Sequence, residues 1–243
     1  MSTDTKPISF RFGEITYHDI RPVSRVKMEG IAVRPGSGIE AAKAVQACPI
    51  TAREAAHAAV HYPIVFTPAP SPIPIVILSL SKGKNPFVRD GKWAKGIYVP
   101  AAIRRYPFIL GEADENNRRP LCVDMAATQK APSSEAALVS DGAESDHLKA
   151  SLNFCLAYQA DSDTTARVGQ QLDEAGLLVE RSLSIDGVDG SKRKTGTFKM
   201  IDADALEKLP DETVVAMHKS GLMALVHAHL ISIGNVSKIA AVS

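Results

Sequence analysis

Four prolines spaced two apart, at positions 68, 70, 72 and 74, constrain this chain more than any other feature. Each locks its own φ and removes a backbone donor, so Thr67–Pro74 cannot be helical. The spacing predicts a stiff, extended connector. Directly after it, Ile75–Leu80 is apolar, rich in β-branched residues and closed by Lys82-Gly83, which makes it the best central strand in the chain. Ile64–Phe66, just before the connector, reads as a second short strand.

Other short strands are expected at Phe10–Ile15, Gly30–Val33, Phe108–Leu110 and Leu121–Asp124, the last two separated by the polar loop Glu112–Arg119. Tyr98-Val99 is either a strand or an approach to Pro100. Gly36-Ser37-Gly38 and Asp90-Gly91 mark a loop and a turn. A helix enters at Thr51, with Glu54 at the capping-box position three residues on, and Tyr62-Pro63 ends it. Beyond about Asp146 the period becomes helical. Leu148, Leu152, Cys155 and Leu156 share one face of a helix to about Gln159, and Asp163 caps a second helix, Thr164–Ala175, ended by Gly176. Strands at Leu177–Ile185 and Thr197–Ile201 follow, then a short helix capped by Asp202 and a last one opened by Asp211. The reading is an α+β fold in one compact unit. Residues 1–127 are β-rich, 128–146 form an irregular linker or excursion, and 147–243 are helical with one hairpin.

Composition narrows the function classes. At 243 residues with 45% hydrophobic and 23% charged residues, the chain can bury a core without disulfides or metal. Lys+Arg at 28 against Asp+Glu at 27 gives no basic field for nucleic acid or anionic membrane. Cys48, Cys122 and Cys155 are widely spaced and read as free thiols in a reducing compartment. The first residues carry no apolar leader, and the apolar run Gly221–Ile233 reads as a buried helix too short to span a bilayer. These features predict a cytoplasmic location.

Three constellations carry candidate chemistry. Glu54, His57 and His61 fall on one helical face, and Glu-x-x-His is a spacing used by carboxylate metal sites, so the alternative function is a metal-dependent enzyme using these three residues. The structural alternative is that Glu54 is only a capping residue. Arg104, Arg105 and Tyr106, with Asn85, Asp90 and Trp93 upstream, form the densest polar and aromatic group. A guanidinium can clamp a carboxylate or phosphate, and an indole can wall a pocket. Pro100 favours a helix start. A short helix at about 100–105 is therefore expected, with one arginine turned inward onto Asp90 or Asp124 and the other reaching a pocket beside Trp93. Finally, a helix, strand, turn with Lys192, Arg193 and Lys194, and returning strand repeat the layout of a winged helix, though the balanced charge argues against nucleic acid. No nucleophile or phosphate-loop motif is present, His227 and His229 face different sides of their helix, and no cofactor is implied.

The ordered blocks Pro49-Ile-Thr-Ala-Arg-Glu54, His61-Tyr-Pro-Ile-Val-Phe66, Asn85-Pro-Phe87, Asp90-Gly-Lys-Trp93, Ile97–Leu110, Leu121-Cys-Val-Asp124 and Ser220–Asn235 resemble the SapC family of bacterial S-layer or peptide-transport-related proteins. The likeness runs from about Pro49 to the end. Where the family pattern has His-Ala-Asn-Leu this chain has Lys27-Met-Glu-Gly-Ile, and Ala55-Ala56-His57 replaces Phe-Pro-Arg, which implies an altered pocket if those residues build one. The resemblance carries no established activity. It implies a genomic neighbourhood of TonB-dependent receptors and flavin-dependent halogenase-like proteins. The expected role is therefore non-catalytic: binding or accessory handling of a small molecule, peptide or partner protein linked to TonB-dependent uptake.

Overall fold

The computed structural model describes residues 15–243 except 69, 117, 183, 187–191 and 195, with backbone only for 184–186 and 192–194. The expected strand at Phe10–Ile15 lies outside the described residues but for Ile15, which is buried coil. The fold is α+β. Its main strands, in chain order, are β1 (Ile20–Pro22), β2 (Ala47–Pro49), β3 (Ile64–Phe66), β4 (Pro74–Ile77), β5 (Phe108–Leu110), β6 (Leu121–Asp124), β7 (Leu178–Arg181) and β8 (Phe198–Ile201). The helices are α1 (Ser37–Ala41), α2 (Ala55–Ala59), α3 (Ala101–Arg104), α4 (Asp146–Glu174), α5 (Ala203–Glu207), α6 (Asp211–Lys219), α7 (Leu222–Ser232) and α8 (Val236–Val242).

One sheet is five-stranded in the order β7-β8-β3-β4-β2, and the other is three-stranded in the order β1-β6-β5; every pairing in both is antiparallel. β3 and β4 are the strands either side of the proline connector, and every residue in both is buried. Strands buried on both faces read as continuous apolar runs, as these do. The central strand starts and ends earlier than expected, because Leu78 and Leu80 leave the ladder and enter the core as coil. Ser37 opens α1, so the expected Gly36–Gly38 loop is partly helix. Tyr98-Val99 is coil. The 128–146 segment contributes Thr128–Lys130, which pairs with Ile31–Val33, and buries Ala137, Leu138 and Val139.

The expected break between two C-terminal helices is absent: α4 is one helix of 29 residues. Asp163 does not cap anything; it accepts a hydrogen bond from Gln159 Nε2 at 2.8 Å. The hydroxyls of Thr164 and Thr165 donate back to the carbonyls of Ala160 and Asp161. Side chains that favour a helix start are thus satisfied inside one. The true end is at Gly176, whose φ of 68° allows Leu177 N–H to reach Leu172 O and Gly176 N–H to reach Asp173 O. Leu172 belongs to the larger core around the five-stranded sheet, whereas Leu148 and Cys155 belong to a second core with Phe108, Val123 and Leu138. α4 therefore links both.

The apolar C-terminal helix is also longer than its sequence suggests. α7 passes through a 3-10 turn into α8, and Leu222–Val242 is long and apolar enough to cross a membrane by length and composition. In the fold α7 lies against α2. His229, Ser232 and Asn235 are buried along it and tied to β3 and α2: Ile64 N–H donates to Ser232 Oγ at 2.9 Å, and Asn235 Nδ2 donates to Ala59 O at 2.7 Å.

Candidate functional site

The site forms where α3 ends. Two buried carboxylates fix that place. Glu54 Oε2 accepts from Thr51 N–H (2.8 Å) and Thr51 Oγ1 (3.1 Å), closing the expected capping box. Its other oxygen accepts from Ala101 N–H (2.6 Å) and the Tyr98 hydroxyl (2.9 Å), so one side chain anchors the starts of two helical segments. Asp124, at the end of β6, accepts from His18 N–H, Asp19 N–H, Ala126 N–H and the Tyr106 hydroxyl at 2.9–3.0 Å. Burial pushes its carboxyl up, but these four donors outweigh that and hold it below the usual range. Burial, with the Asp124 charge added, pushes the Tyr106 hydroxyl to about 12. Gly38 lets α1 close on the same point, since a Cβ there would lie 3.1 Å from Ile103 O. The peptide bond Tyr106–Pro107 is cis.

The expected short helix at 100–105 is present as α3, and its two arginines part company. Arg104 is exposed. Its Nε donates to Val99 O (3.0 Å), one Nη donates to the Tyr98 hydroxyl (3.2 Å), and its guanidinium lies 5.2 Å from the Phe154 ring centre. Arg105 turns inward, as expected of one of the pair, but onto the Tyr158 ring at 4.6 Å rather than onto a carboxylate. Its Nε is buried with no hydrogen-bond partner. Its charge acts on Tyr17, Tyr158 and Cys155. Burial pushes both phenols to about 12 and raises the thiol, and the Arg105 charge only partly offsets this. All three are neutral at pH 7, and among the described residues no carboxylate lies within ion-pair distance of the guanidinium.

Three clefts meet here. One, of about 400 Å³, is lined by Arg104, Arg105, Tyr106, Phe108, His147 and Phe154. A second, of about 420 Å³, shares Arg104, Tyr106 and His147 with it. A third, of about 230 Å³, shares Arg104 and Phe154 with the first and reaches Glu54 and His57. Each is near the size range of small-molecule sites. A buried-sided cation above aromatic rings is suited to holding a carboxylate or phosphate attached to an apolar body.

The other sequence candidates lie apart. Asn85 is buried, donates to Ala42 O and accepts from Phe87 N–H, so its amide ties two loops together. Asp90 is an exposed hairpin-tip residue at φ 51° between Val88–Arg89 and Lys92–Trp93. Neither Asp90 nor Asp124 pairs with Arg104 or Arg105, because Asp124 is already occupied by backbone donors and Tyr106. Trp93 stacks on Phe87 at 6.1 Å and lines none of these clefts. Of the helical trio, Glu54 is committed to four donors, His57 stacks on Tyr98 at 5.7 Å, and His61 sits edge-on to Tyr62. Among the described residues no group of three His, Cys, Asp or Glu is placed to hold a metal ion. Lys192, Arg193 and Lys194 form a strand paired with Ser184–Asp186, and their side chains lie outside the described residues. The strands β7 and β8 that would flank a wing are members of the five-stranded sheet.

Sequence reasoning did not single out Tyr98, Phe154, Tyr158 or His147. Phe154, Tyr158 and His147 come from α4, far along the chain from α3, whereas Tyr98 stands six residues before Arg104; nothing local marks the role of any of them. A family model described as SapC matches residues 23–239, taking in the stretch before Pro49 that motif comparison leaves out. No curated protein and no solved structure matches the chain.

Proposed function

Given that the chain belongs to the SapC family, we propose that it is a non-catalytic binding or accessory protein whose ligand is an aromatic or apolar carboxylate, free or at the end of a peptide. Arg105 and Arg104 receive the acid, and Phe108 and Phe154 receive the body. The observation that carries this reading is the Arg105 guanidinium, held over Tyr158 without a carboxylate and lining a cleft. A cation fixed beside three neutral groups is already desolvated in part, so an incoming anion meets a pre-organised partner. The three cysteines are buried, and burial raises the Cys122 and Cys155 thiols, which leaves them poor nucleophiles. A cytoplasmic protein handling material that enters by TonB-dependent uptake is the setting we infer from the family's neighbourhood.

Calorimetry with phenylacetate and with N-acetylphenylalanine tests this. Saturable binding should weaken at least about tenfold in Arg105→Met, equivalent to losing about 1.4 kcal/mol. The variant should still melt cooperatively, because no ion pair is removed. Equal binding by wild type and Arg105→Met, or no binding of either probe at millimolar concentration, would overturn the assignment.

A further inference from the structure

A larger cleft also borders Tyr106; it shares Arg34 and Ser37 with the 420 Å³ cleft but neither Arg104 nor Arg105. Its volume is about 640 Å³, and its polar wall includes Arg34, Lys82, His18, Ser37, Gln46 and Tyr106. Gln46 is the unusual member. It sits between Val45 and Ala47 in an apolar run, is only 7% exposed, and its amide nitrogen has no hydrogen-bond partner. Burying an amide without a partner is unfavourable, and folded proteins seldom tolerate it without a compensating role. The backbone carbonyl of Gln46 accepts from both Leu78 and Ser79. The side chain lines the cleft with its amide nitrogen enclosed, so donation to a ligand requires the amide to turn towards the opening.

The charges around it have one dominant sign. Arg34 is exposed and its guanidinium donates to Ala126 O at 2.6 Å, which fixes its position without neutralising it. It is close enough to Tyr106 to lower that hydroxyl's pKa against the effect of burial. Lys82 is exposed and forms no ion pair among the described residues, whereas the one carboxylate in the wall, Glu40, is paired with Lys43 at 2.6 Å.

We propose that this cleft is a second binding site, for a small organic oxyanion that also carries a hydrogen-bond acceptor. Arg34 and Lys82 hold the acid group, carboxylate or phosphate, and the Gln46 amide donates to the neighbouring oxygen. The assignment does not depend on the Arg105 cleft, whose cation and aromatic floor are separate.

The Gln46 side-chain NH₂ gives a resolvable pair of signals in ¹⁵N–¹H correlation spectra, identified by their absence in Gln46→Leu. Full-length protein is titrated with citrate in one arm and glycerol 3-phosphate in another, at constant ionic strength. The expected result is a saturable shift of the Gln46 pair in at least one arm, with the arm identifying the acid. Lys82→Gln and Arg34→Gln should each weaken the response about tenfold or more. Gln46→Leu should weaken binding while raising the thermal midpoint, because an unpartnered buried amide is replaced by an apolar side chain. No shift in either arm at millimolar concentration, or shifts indifferent to both cation substitutions, would overturn the proposal. So would a lowered midpoint in Gln46→Leu, which would make Gln46 a structural residue. The Arg105→Met variant should bind these probes as wild type does. Its weakened binding of phenylacetate therefore separates the two sites.

Discussion

Replacing a helical glycine by alanine ordinarily stabilises a helix by up to about 1 kcal/mol. At Gly169 the sign inverts. A Cβ there would stand 1.7 Å from the carbonyl oxygen of Pro72, so the proline connector crosses α4 with its backbone against the helix backbone. The obstructing atom belongs to a stiff segment and cannot swing aside. Gly169→Ala should therefore destabilise the protein by about 2–4 kcal/mol, seen as a lower urea midpoint with little change in slope. A midpoint at or above wild type would show that the connector moves freely. Sequence alone gave the stiffness of the connector but not what it crosses. Glu54 teaches the same lesson. Its hydrogen bonds to Thr51 are visible in the spacing of the two residues, whereas its bonds to Tyr98 and Ala101 span more than forty positions and leave no local trace.

At the level of elements, the join between β3 and β8 depends on a helix. The two strands share a single registered pair, Lys199 with Phe66. Two positions further along that register Ile201 would face Ile64, and there the His229 ring of α7 bridges them. Nδ1 donates to Ile64 O at 2.8 Å, and Nε2 accepts from Ile201 N–H at 3.1 Å. This requires a neutral imidazole, and burial drives its pKa down to about 4, with the bond to Ile64 O resisting. Unfolded, the ring would titrate near the ordinary histidine value of about 6.5. Above that value the ring is neutral in both states and its contribution is complete. As the pH falls towards 4 the unfolded state takes up the proton first, and stability declines by roughly 3 kcal/mol. Urea melts at pH 7.5 and 4.5 should show this loss, and His229→Gln should be less stable at pH 7.5 with a smaller decline over the window. An unchanged decline in the variant would assign it to other groups. The helix was legible from its apolar run, but the histidine's two partners were not, since they lie on strands 28 and 165 residues away.

Across the whole molecule, the strands expected from apolar runs largely exist, while their order within sheets was hidden. β7 and β8, from the final third, complete a sheet begun by β2, β3 and β4, and no local pattern encodes such a pairing. α4 extends through both cores over about 43 Å at 1.5 Å per residue. A chain ended at Ser220 would lack α7 and α8, leaving Ile64 N–H, Ile64 O and Ala59 O without the groups that satisfy them. It should give no cooperative thermal transition, by near-ultraviolet circular dichroism; a sharp transition would mean that the remaining layers fold independently. One consequence of the site reaches beyond any single cleft. Tyr106 is a wall common to both proposed sites, and it is tethered to Asp124, which in turn gathers the backbone of residues 18, 19 and 126. If both sites bind as proposed, an occupant that displaces Tyr106 in one would alter the affinity of the other. Linkage then requires the influence to run equally in both directions. The protein would respond to the joint presence of two compounds, in the manner of a coincidence detector, rather than simply to the concentration of each.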